Sequence, residues 1–474
     1  MKKLLLLVLV SVYSFSQVGI GNTAPNSSAA LDVSSSYSKV KTISIEFPYL
    51  AGQTYEFTIF QGDKRITLKR DTVPQGGIVQ LVLPKEYYGY KGMAQWYLTN
   101  SATGGGLDLI INNEDFSVSC LDRIPTAESI VYKKTQENIF DKSNYQKQQK
   151  LFQKHDAMLA TKRAYEPKSK FYKLAKEEYA TIVKLYDTYS NDLKKSPLFA
   201  AKFRQIVNLT MGIGTIITLD EKEKANNINT FITNELDFSV LYTSNHWGGV
   251  INNWVQLQNM VLKNDAKMVT DATTILNRIK SDVIYTDFVI NLTKVLTKAG
   301  KDNALFALIP TIKNSKRLMR YDGVLNIFKQ DLTGKAPDLT IVTYKGTKEA
   351  INQIRTVIKT DDLKSKFTLL VFYRSDCGPC EETMAGLVGN YKAIVDKGIK
   401  IISIAGDSNQ ETYSKTASAF PWTDKYRDVE GMNGINFKNY AVLGTPTIYL
   451  IDNKGIVLSK MATVTEVLDF VNKK

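Results

Sequence analysis

The chain has 474 residues, of which 43% are hydrophobic and 23% are charged. This length and composition exclude a disordered chain and a single small domain, and they predict about two to four domains with their own cores. The formal net charge is +14, but the lysines are spread along the sequence without a dense basic tract or interleaved aromatic residues. We therefore expect a solvated surface and no nucleic-acid partner, with affinity for anionic partners or envelope surfaces as the alternative.

Residues 1–16 have the pattern of a secretory signal peptide. They start with a methionine and two lysines, continue with the apolar run Leu4–Val12, and end with small residues that suit cleavage before Gln17. The apolar run is too short to span a bilayer. Residues 17–38 are rich in serine, asparagine and alanine and predict a flexible lead-in. We expect a soluble exported chain in the periplasm or cell envelope, or a secreted one, with no membrane span after cleavage.

Residues 39–124 change to short alternating apolar runs separated by glycine-rich turns. Alternation with a period of two is typical of strands that bury one face. Cys120 would end the last strand as a buried free thiol, with pairing to another protein or a redox-sensitive side site as the alternatives. We predict a small β-sandwich with strands at Ile43–Phe47, Tyr55–Phe60, Ile78–Leu83, Gln95–Leu98, Leu107–Ile111 and Phe116–Ser119.

Residues 125–333 show apolar residues at helical spacing. The clearest helix includes Phe171 to Tyr189, whose aromatic stripe we assign to a core. No strict repeat period is present, so the pattern predicts an irregular helical domain rather than a solenoid. His155 lies in a polar stretch, where we expect it to be exposed, and His246 is expected in a loop or cap. Two such histidines without acidic clusters do not predict a metal site.

The motif Cys377-Gly378-Pro379-Cys380 follows the apolar run Phe367–Tyr373 and precedes a segment with helical spacing. It therefore marks the point where a strand ends and a helix begins. Free backbone N–H groups and the positive end of the helix dipole stabilise a thiolate at Cys377, which makes this residue the expected nucleophile. Cys380, one turn further into the helix, would resolve the mixed disulfide.

The cysteine pair has two other interpretations. A metal site needs a second pair of ligands, and the only other cysteine is Cys120, so we expect neither a metal nor another cofactor. A fixed structural disulfide between Cys377 and Cys380 is the alternative to catalysis. So short a loop gives little entropic stabilisation compared with the long loops that structural disulfides usually close, which favours catalysis.

Four stretches carry a family resemblance: Gly334–Leu339, the CxxC motif, Gly444–Thr447 before an apolar strand, and Ile451–Gly455 at a hairpin. On these stretches, residues 334–474 resemble the TlpA and ResA type of thioredoxin-like disulfide reductase among exported Bacteroidetes proteins. The upstream residues 39–124 are similar to the N-terminal domains of such proteins. The resemblance implies a thioredoxin-like α/β domain that is re-reduced by a membrane thiol electron donor of the DsbD type.

The resemblance also implies roles for Thr445 and Pro446. The Thr445–Pro446 bond would be cis and face the CxxC motif, and its backbone would pair with an extended substrate chain. Phe420-Pro421-Trp422 either lines the substrate groove or belongs to the packing. The pattern predicts strands at Thr340–Thr343, Thr368–Tyr373, Ile399–Ala405, Thr447–Ile451 and Ile456–Lys460, and helices near Cys380–Val395, Asn409–Ala419 and Val464–Val471.

Several residues depart from the family pattern. The residue before the first cysteine, usually a tryptophan, is Asp376, whose negative charge should oppose thiolate formation. The buried acid of thioredoxin corresponds to Val371, and the glutamate of ResA-like proteins corresponds to Thr383. Glu381 and Glu382 are close enough to substitute as a proton relay, or they complement the helix dipole. The proton acceptor for Cys380 is therefore left open.

The dipeptide between the cysteines indicates the direction of electron transfer. Gly378 and Pro379 bring neither a charge nor a side-chain donor to the thiolate, whereas a histidine there would make the pair more oxidising. A reducing function, like that of thioredoxin, is favoured.

The predicted fold is multidomain α+β, with a β-sandwich, a central helical domain and a thioredoxin-like α/β domain. The predicted function is that of an exported thiol-disulfide oxidoreductase that reduces disulfides in protein substrates. A non-enzymatic alternative is an envelope binding or structural protein with a non-catalytic thioredoxin-like domain. A thiol peroxidase is a further alternative, although the Pro-x-x-x-Thr-x-x-Cys arrangement of peroxiredoxins is absent.

Overall fold

The computed structural model describes residues 41–101, 105–329, 334–347, 350–442 and 444–473. The predicted signal peptide 1–16 and lead-in 17–38 lie outside the described residues. The chain divides into two compact units, one up to Val250 and one from Ile251 onward. This division falls inside the predicted helical domain 125–333, and the predicted domain limits remain predictions. Within the described ranges, no helix combines the length and apolar character needed to cross a membrane.

The described residues of the first unit begin with eight strands in two four-stranded sheets. One sheet has the order β4-β1-β7-β8 and the other β3-β2-β5-β6. Alternate residues from both sheets, such as Ile45 and Trp96, share one hydrophobic cluster, because the period-two pattern places them on one face. The strands are β1 (Thr42–Glu46), β2 (Thr54–Gln61), β3 (Lys64–Thr72), β4 (Ile78–Val82), β5 (Lys91–Leu98), β6 (Gly106–Asn112), β7 (Phe116–Ser119) and β8 (Val131–Lys133).

Two of these strands were missed in the sequence. Strand β3 is an edge strand in which five of the nine residues are charged. Only Ile66 and Leu68 pack against the core, so its apolar alternation is too short to stand out in the sequence. Charged side chains on an edge strand hinder pairing with other molecules. The short β8 follows Cys120, which therefore does not end the last strand. Cys120 is a buried free thiol, and its Sγ lies 3.3 Å from Oγ of Ser129.

The helices of the first unit start with a long antiparallel pair. In α2, Ile182, Tyr186 and Tyr189 are buried as predicted. Phe171 is 60% exposed because it lies at the start of the helix, with its ring tilted against that of Tyr165. At the start of α1, the side-chain amide of Asn138 pairs with both backbone groups of Ile110 in β6. The helices are α1 (Gln136–Ala164), α2 (Lys170–Lys195), α3 (Phe199–Thr210), α4 (Glu221–Asn234), α5 (Phe238–Tyr242) and α6 (Trp247–Leu257), which continues into the second unit.

The second unit begins with helices and continues into the C-terminal sheets. The side chains of Asn264 and Ser281 accept hydrogen bonds from backbone N–H groups and so start α7 and α8. A π-helical turn at Gln258–Leu262 precedes them. The helices are α7 (Asp265–Arg278), α8 (Asp282–Lys298), α9 (Asp302–Ser315) and α10 (Asn326–Lys329).

The C-terminal part contains a two-stranded sheet and a five-stranded sheet with helices. The five-stranded sheet has the order β13-β12-β11-β14-β15, with β11 parallel to β12 and antiparallel to β14. The strands are β9 (Leu339–Thr347), β10 (Ala350–Ile358), β11 (Phe367–Tyr373), β12 (Ile399–Ala405), β13 (Asp424–Arg427), β14 (Thr447–Asp452) and β15 (Val457–Met461). The helices are α11 (Gly378–Gly389), α12 (Tyr391–Asp396), α13 (Gln410–Ala417), α14 (Ile435–Asn439) and α15 (Val464–Asn472).

Strand β11 is the centre of this sheet and is buried on both faces. Leu369, Val371 and Tyr373 belong to one hydrophobic cluster, and Leu370 and Phe372 belong to the other. Such burial explains why its sequence is a continuous apolar run rather than an alternating one. The described region thus has a mixed α/β organisation, with N-terminal strands, a central helical region and a C-terminal part built on the five-stranded sheet.

Candidate functional site

The CxxC motif lies where the central strand β11 leads into α11. Cys377 is the N-cap residue of α11, and the backbone N–H of Cys380 donates to its Sγ at 3.3 Å. Pro379 lies in the first turn, where its missing N–H costs no helical hydrogen bond. The chain therefore places the first sulfur among the free N–H groups at the helix start, which is the environment that stabilises a thiolate.

The two sulfurs differ in their access to solvent. Cys377 is partly exposed, whereas Cys380 is fully buried in the cluster under α11. The two residues form a disulfide, with their Cα atoms 5.2 Å apart. An incoming disulfide could therefore reach Cys377 but not Cys380.

The loop before β14 brings Thr445 and Pro446 to the cysteines. The Thr445–Pro446 peptide bond is cis. The carbonyl oxygen of Thr445 lies 3.4 Å from Sγ of Cys377, and the Thr445 hydroxyl lies 3.7 Å from the same sulfur. Because β14 pairs antiparallel with β11 from Thr447 onward, the loop is held at the sheet end where the CxxC motif starts.

Asp376 forms an ion pair with Arg374, a residue that the sequence interpretation did not consider. The half-exposed Arg374 guanidinium donates a hydrogen bond to the Asp376 carboxylate. This interaction lowers the pKa of Asp376, so the carboxylate remains ionised but its charge is balanced. The expected opposition of Asp376 to thiolate formation is thereby reduced.

We expect Arg374→Gln to raise the pKa of the Cys377 thiol. The substitution leaves Asp376 negative and unbalanced, and a negative charge close to the sulfur disfavours the thiolate. The pH dependence of iodoacetamide labelling of the reduced protein measures this shift. The matched variant Arg374→Gln/Asp376→Asn removes both charges and should return the midpoint to the wild-type value. An unchanged midpoint in Arg374→Gln would contradict the proposed charge balance.

Asp407 is a site residue that the sequence interpretation missed. Its buried carboxylate accepts hydrogen bonds from the backbone N–H of Ser375 at 2.9 Å and from the Ser375 hydroxyl at 2.6 Å. Ser375 is two residues before Cys377, so this pair holds the loop that leads to the motif. The sequence did contain a signal for this residue, namely an aspartate just after β12. Parallel neighbouring strands end at the same edge of the sheet, so this aspartate could be expected near the end of β11.

We expect Asp407→Ala to loosen the loop before the CxxC motif. The substitution leaves the Ser375 N–H and hydroxyl without their acceptor, which destabilises a buried site by about 1–3 kcal/mol. Hydrogen exchange of the Ser375 amide should become faster, and urea unfolding should require less denaturant. Ser375→Ala is the matched control, since it removes only the hydroxyl donor and should show a smaller effect. Unchanged exchange at residue 375 in Asp407→Ala would show that the carboxylate does not hold the loop.

The two glutamates after the motif are on the surface, while the residues at the family's acid positions are buried. Glu381 and Glu382 are both exposed, with Glu381 in the first turn of α11. Val371 and Thr383 are buried, at 0% and 5% exposure. Cys380 is thus buried in the core, whereas both carboxylates lie on the surface.

The aromatic residues after α13 belong to the core. Phe420 and Trp422 are buried and stack with their ring centroids 4.8 Å apart, and Trp422 Nε1 donates to Oγ of Ser403 at 2.9 Å. Tyr373 packs edge-on against Phe420, and burial raises the pKa of its hydroxyl. Of the two interpretations of Phe420-Pro421-Trp422, the contacts of the two aromatic rings favour packing.

The two histidines lie in separate aromatic surroundings in the first unit. The His155 side chain is only 13% exposed and lies 5.2 Å from the ring of Tyr179, so the expectation that it is exposed was wrong. His246 precedes α6 and stacks on Phe203, and burial lowers its pKa. In the part of the chain that the structure describes, no cluster of three or more His, Cys, Asp or Glu side chains could hold a metal ion.

The C-terminal region of the chain is similar to known proteins. Residues 332–460 match the AhpC/TSA family. The chain is 26% identical over 133 residues to the thiol-disulfide oxidoreductase ResA of Bacillus thuringiensis subsp. konkukian, covering 28% of this chain and 70% of ResA. It is 28% identical over 130 residues to the thioredoxin-like protein YneN of Bacillus subtilis, covering 26% of this chain and 66% of YneN.

A solved structure gives a similar match. The thioredoxin domain of a thiol-disulfide oxidoreductase from Bacteroides vulgatus is 24% identical, covers 30% of this chain and 97% of its own chain, and has a TM-score of 0.24. The family match includes the CxxC motif and the cis-proline loop described above. The C-terminal region of this chain is therefore an AhpC/TSA-family domain with a thioredoxin-like fold, and its relatives include proteins named thiol-disulfide oxidoreductases.

Proposed function

We propose that the chain is an exported thiol-disulfide oxidoreductase that reduces protein disulfides through Cys377 and Cys380. One observation carries the proposal: a partly exposed sulfur at a helix start is bonded to a fully buried one and lies 3.4 Å from the Thr445 carbonyl oxygen. This asymmetry supports an order of events in which Cys377 meets the substrate and Cys380 acts afterwards.

The reaction begins with the reduced protein. The Cys377 thiolate attacks one sulfur of the substrate disulfide, the substrate S–S bond breaks, and the other substrate sulfur leaves as a thiolate that takes a proton. Cys380 then loses its proton and attacks Cys377 in the mixed disulfide. This step releases the second substrate thiol, so the substrate gains two electrons and two protons, and the protein retains the Cys377–Cys380 disulfide.

Backbone groups and charges around the motif support this chemistry. The Cys380 N–H donates to the first sulfur, and the start of α11 adds its dipole. Gly378 and Pro379 add no further stabilisation of the thiolate, which supports a reducing protein. Thr445 and Pro446 would present backbone to an extended substrate. The exposed Glu381 and Glu382 would either serve as a proton relay or complement the dipole at the start of α11.

The partners and location follow the sequence pattern and the relatives. Substrates would be proteins with disulfides, and a membrane thiol donor of the DsbD type would restore the dithiol outside the cytoplasm. Residues 1–16 would direct export to the periplasm or cell envelope. The two sheets of the first unit, apart from β8 at Val131–Lys133, would form the predicted β-sandwich domain, 39–124. A helical domain, 125–333, and the thioredoxin-like domain, 334–474, would follow.

Substrate trapping tests the proposal directly. Cys380→Ser retains the attacking sulfur but lacks the resolving one, so it should accumulate mixed disulfides with exported proteins that separate under reducing conditions. Cys377→Ser/Cys380→Ser is the matched control and should trap none. Consumption of peroxide without reduction of insulin would instead favour a thiol peroxidase. A folded protein whose Cys380→Ser form traps nothing would support the non-enzymatic binding alternative.

A further inference from the structure

The end of helix α8 lies against the residue that precedes Thr445. A Cβ atom placed on Gly444 would be 3.8 Å from Cγ2 of Thr297, so the Thr297 methyl group is a neighbour of the cis-proline loop. The Thr297 hydroxyl oxygen is buried and has no hydrogen-bond partner among the described residues. The α8–α9 turn, defined here as residues 299–301, follows the last residue of α8. This turn therefore borders the loop that lies beside the accessible sulfur.

The residues that follow the α8–α9 turn hold it against the five-stranded sheet. Asp302, the first residue of α9, forms a buried ion pair with Lys460 of β15, with Oδ1 and Nζ 3.0 Å apart. Lys460 is opposite Tyr449 in β14, three residues after Pro446. Asn303 donates to Glu466 Oε1 at 2.6 Å near the start of α15. These contacts hold the turn beside the start of β14, and so beside the cis-proline loop.

We propose that the α8–α9 turn, together with Thr297, forms one wall of the surface that binds an extended polypeptide segment of the substrate. This inference rests on the proposed function. A substrate sulfur must reach Cys377, which is 3.4 Å from the Thr445 carbonyl oxygen. An extended chain advances about 3.3 Å per residue, so a polypeptide paired with Thr445 reaches the wall within a few residues. A small disulfide ends before the wall.

The wall predicts different effects on large and small disulfides. Thr297→Trp should raise the KM for insulin about five- to tenfold, and this loss should exceed any change in the reduction of hydroxyethyl disulfide. Asn314→Trp is the matched control, because it introduces the same side chain at an exposed position roughly 18 Å along α9. It should change neither the insulin KM nor the reduction of hydroxyethyl disulfide. An unchanged insulin KM, or an equal loss with both disulfides, would overturn the proposed wall.

A second measurement leaves the turn unmodified. Cys380→Ser is loaded as a mixed disulfide with a cysteine-containing insulin-chain peptide or with glutathione, and amide hydrogen exchange is followed at residues 297–301. Exchange should slow with the peptide and remain unchanged with glutathione; equal exchange in the two adducts overturns the wall. If the wild type reduces neither insulin nor hydroxyethyl disulfide, the proposed function fails as well. If it reduces both and the exchange is equal, only the wall fails.

Discussion

Cys377→Ser should lower the rate of insulin disulfide reduction by on the order of a thousandfold or more. The reaction needs a sulfur that can form a mixed disulfide, and a serine hydroxyl at the start of α11 cannot do so. Cys377 is the partly exposed member of the pair, so Cys380 does not replace it. Turbidity of reduced insulin, with dithiothreitol as the electron source, measures the rate.

Cys120 supplies the control for this loss. Cys120→Ala removes the remaining cysteine, a buried free thiol in the first unit, and should retain wild-type turnover. A general effect of losing a thiol would reduce activity in both variants, whereas the proposed mechanism requires loss in Cys377→Ser alone. Equal turnover by wild type and Cys377→Ser would reject the mechanism.

Lys460→Met should destabilise the C-terminal sheet by about 3–5 kcal/mol. Lys460 and Asp302 are 1% and 6% exposed, so removal of the ammonium leaves a carboxylate buried without its partner. Amide hydrogen exchange in β14 and β15 measures this loss, since these amides report the opening of the sheet.

Two variants distinguish the loss of the ion pair from a general effect of replacing a lysine on the stability of the sheet. Lys454→Met changes an exposed lysine in the hairpin between the same strands and should alter exchange little. Lys460→Met/Asp302→Leu removes both charges and should recover most of the loss, because a buried pair replaced by apolar side chains is often neutral in stability. Loss in the double variant equal to that in Lys460→Met would show that packing, and not the unpaired charge, is responsible.

The sequence was most informative where local patterns coincide with the site. Three patterns predicted elements that meet at the site. They are the apolar run of β11, the helical spacing after Cys380, and the Thr445-Pro446 dipeptide before another strand. The structure places the Thr445 carbonyl oxygen 3.4 Å from Sγ of Cys377. The elements that were missed lack such a pattern. Strand β13 is four partly exposed residues, and the predicted helix Cys380–Val395 is broken at Asn390, where α11 ends and α12 begins.

Contacts between distant residues could not be predicted from one sequence. Asp407 is 32 residues from Ser375, and it meets that residue only because β11 and β12 pair in parallel. Lys460 looks like any other lysine of a basic chain, although it is buried against Asp302. Even the short-range pair of Arg374 and Asp376 was missed, because Asp376 was compared with the family pattern and not with its own neighbours.

Reactivity of the first sulfur tests the central claim most directly. The native protein is reduced, labelled briefly with iodoacetamide at neutral pH, and the modified cysteine is identified by mass spectrometry. We expect Cys377 to be labelled rapidly, while the buried Cys380 and Cys120 are labelled only after unfolding. Failure to label Cys377 in the folded, reduced protein would contradict its role as the attacking nucleophile.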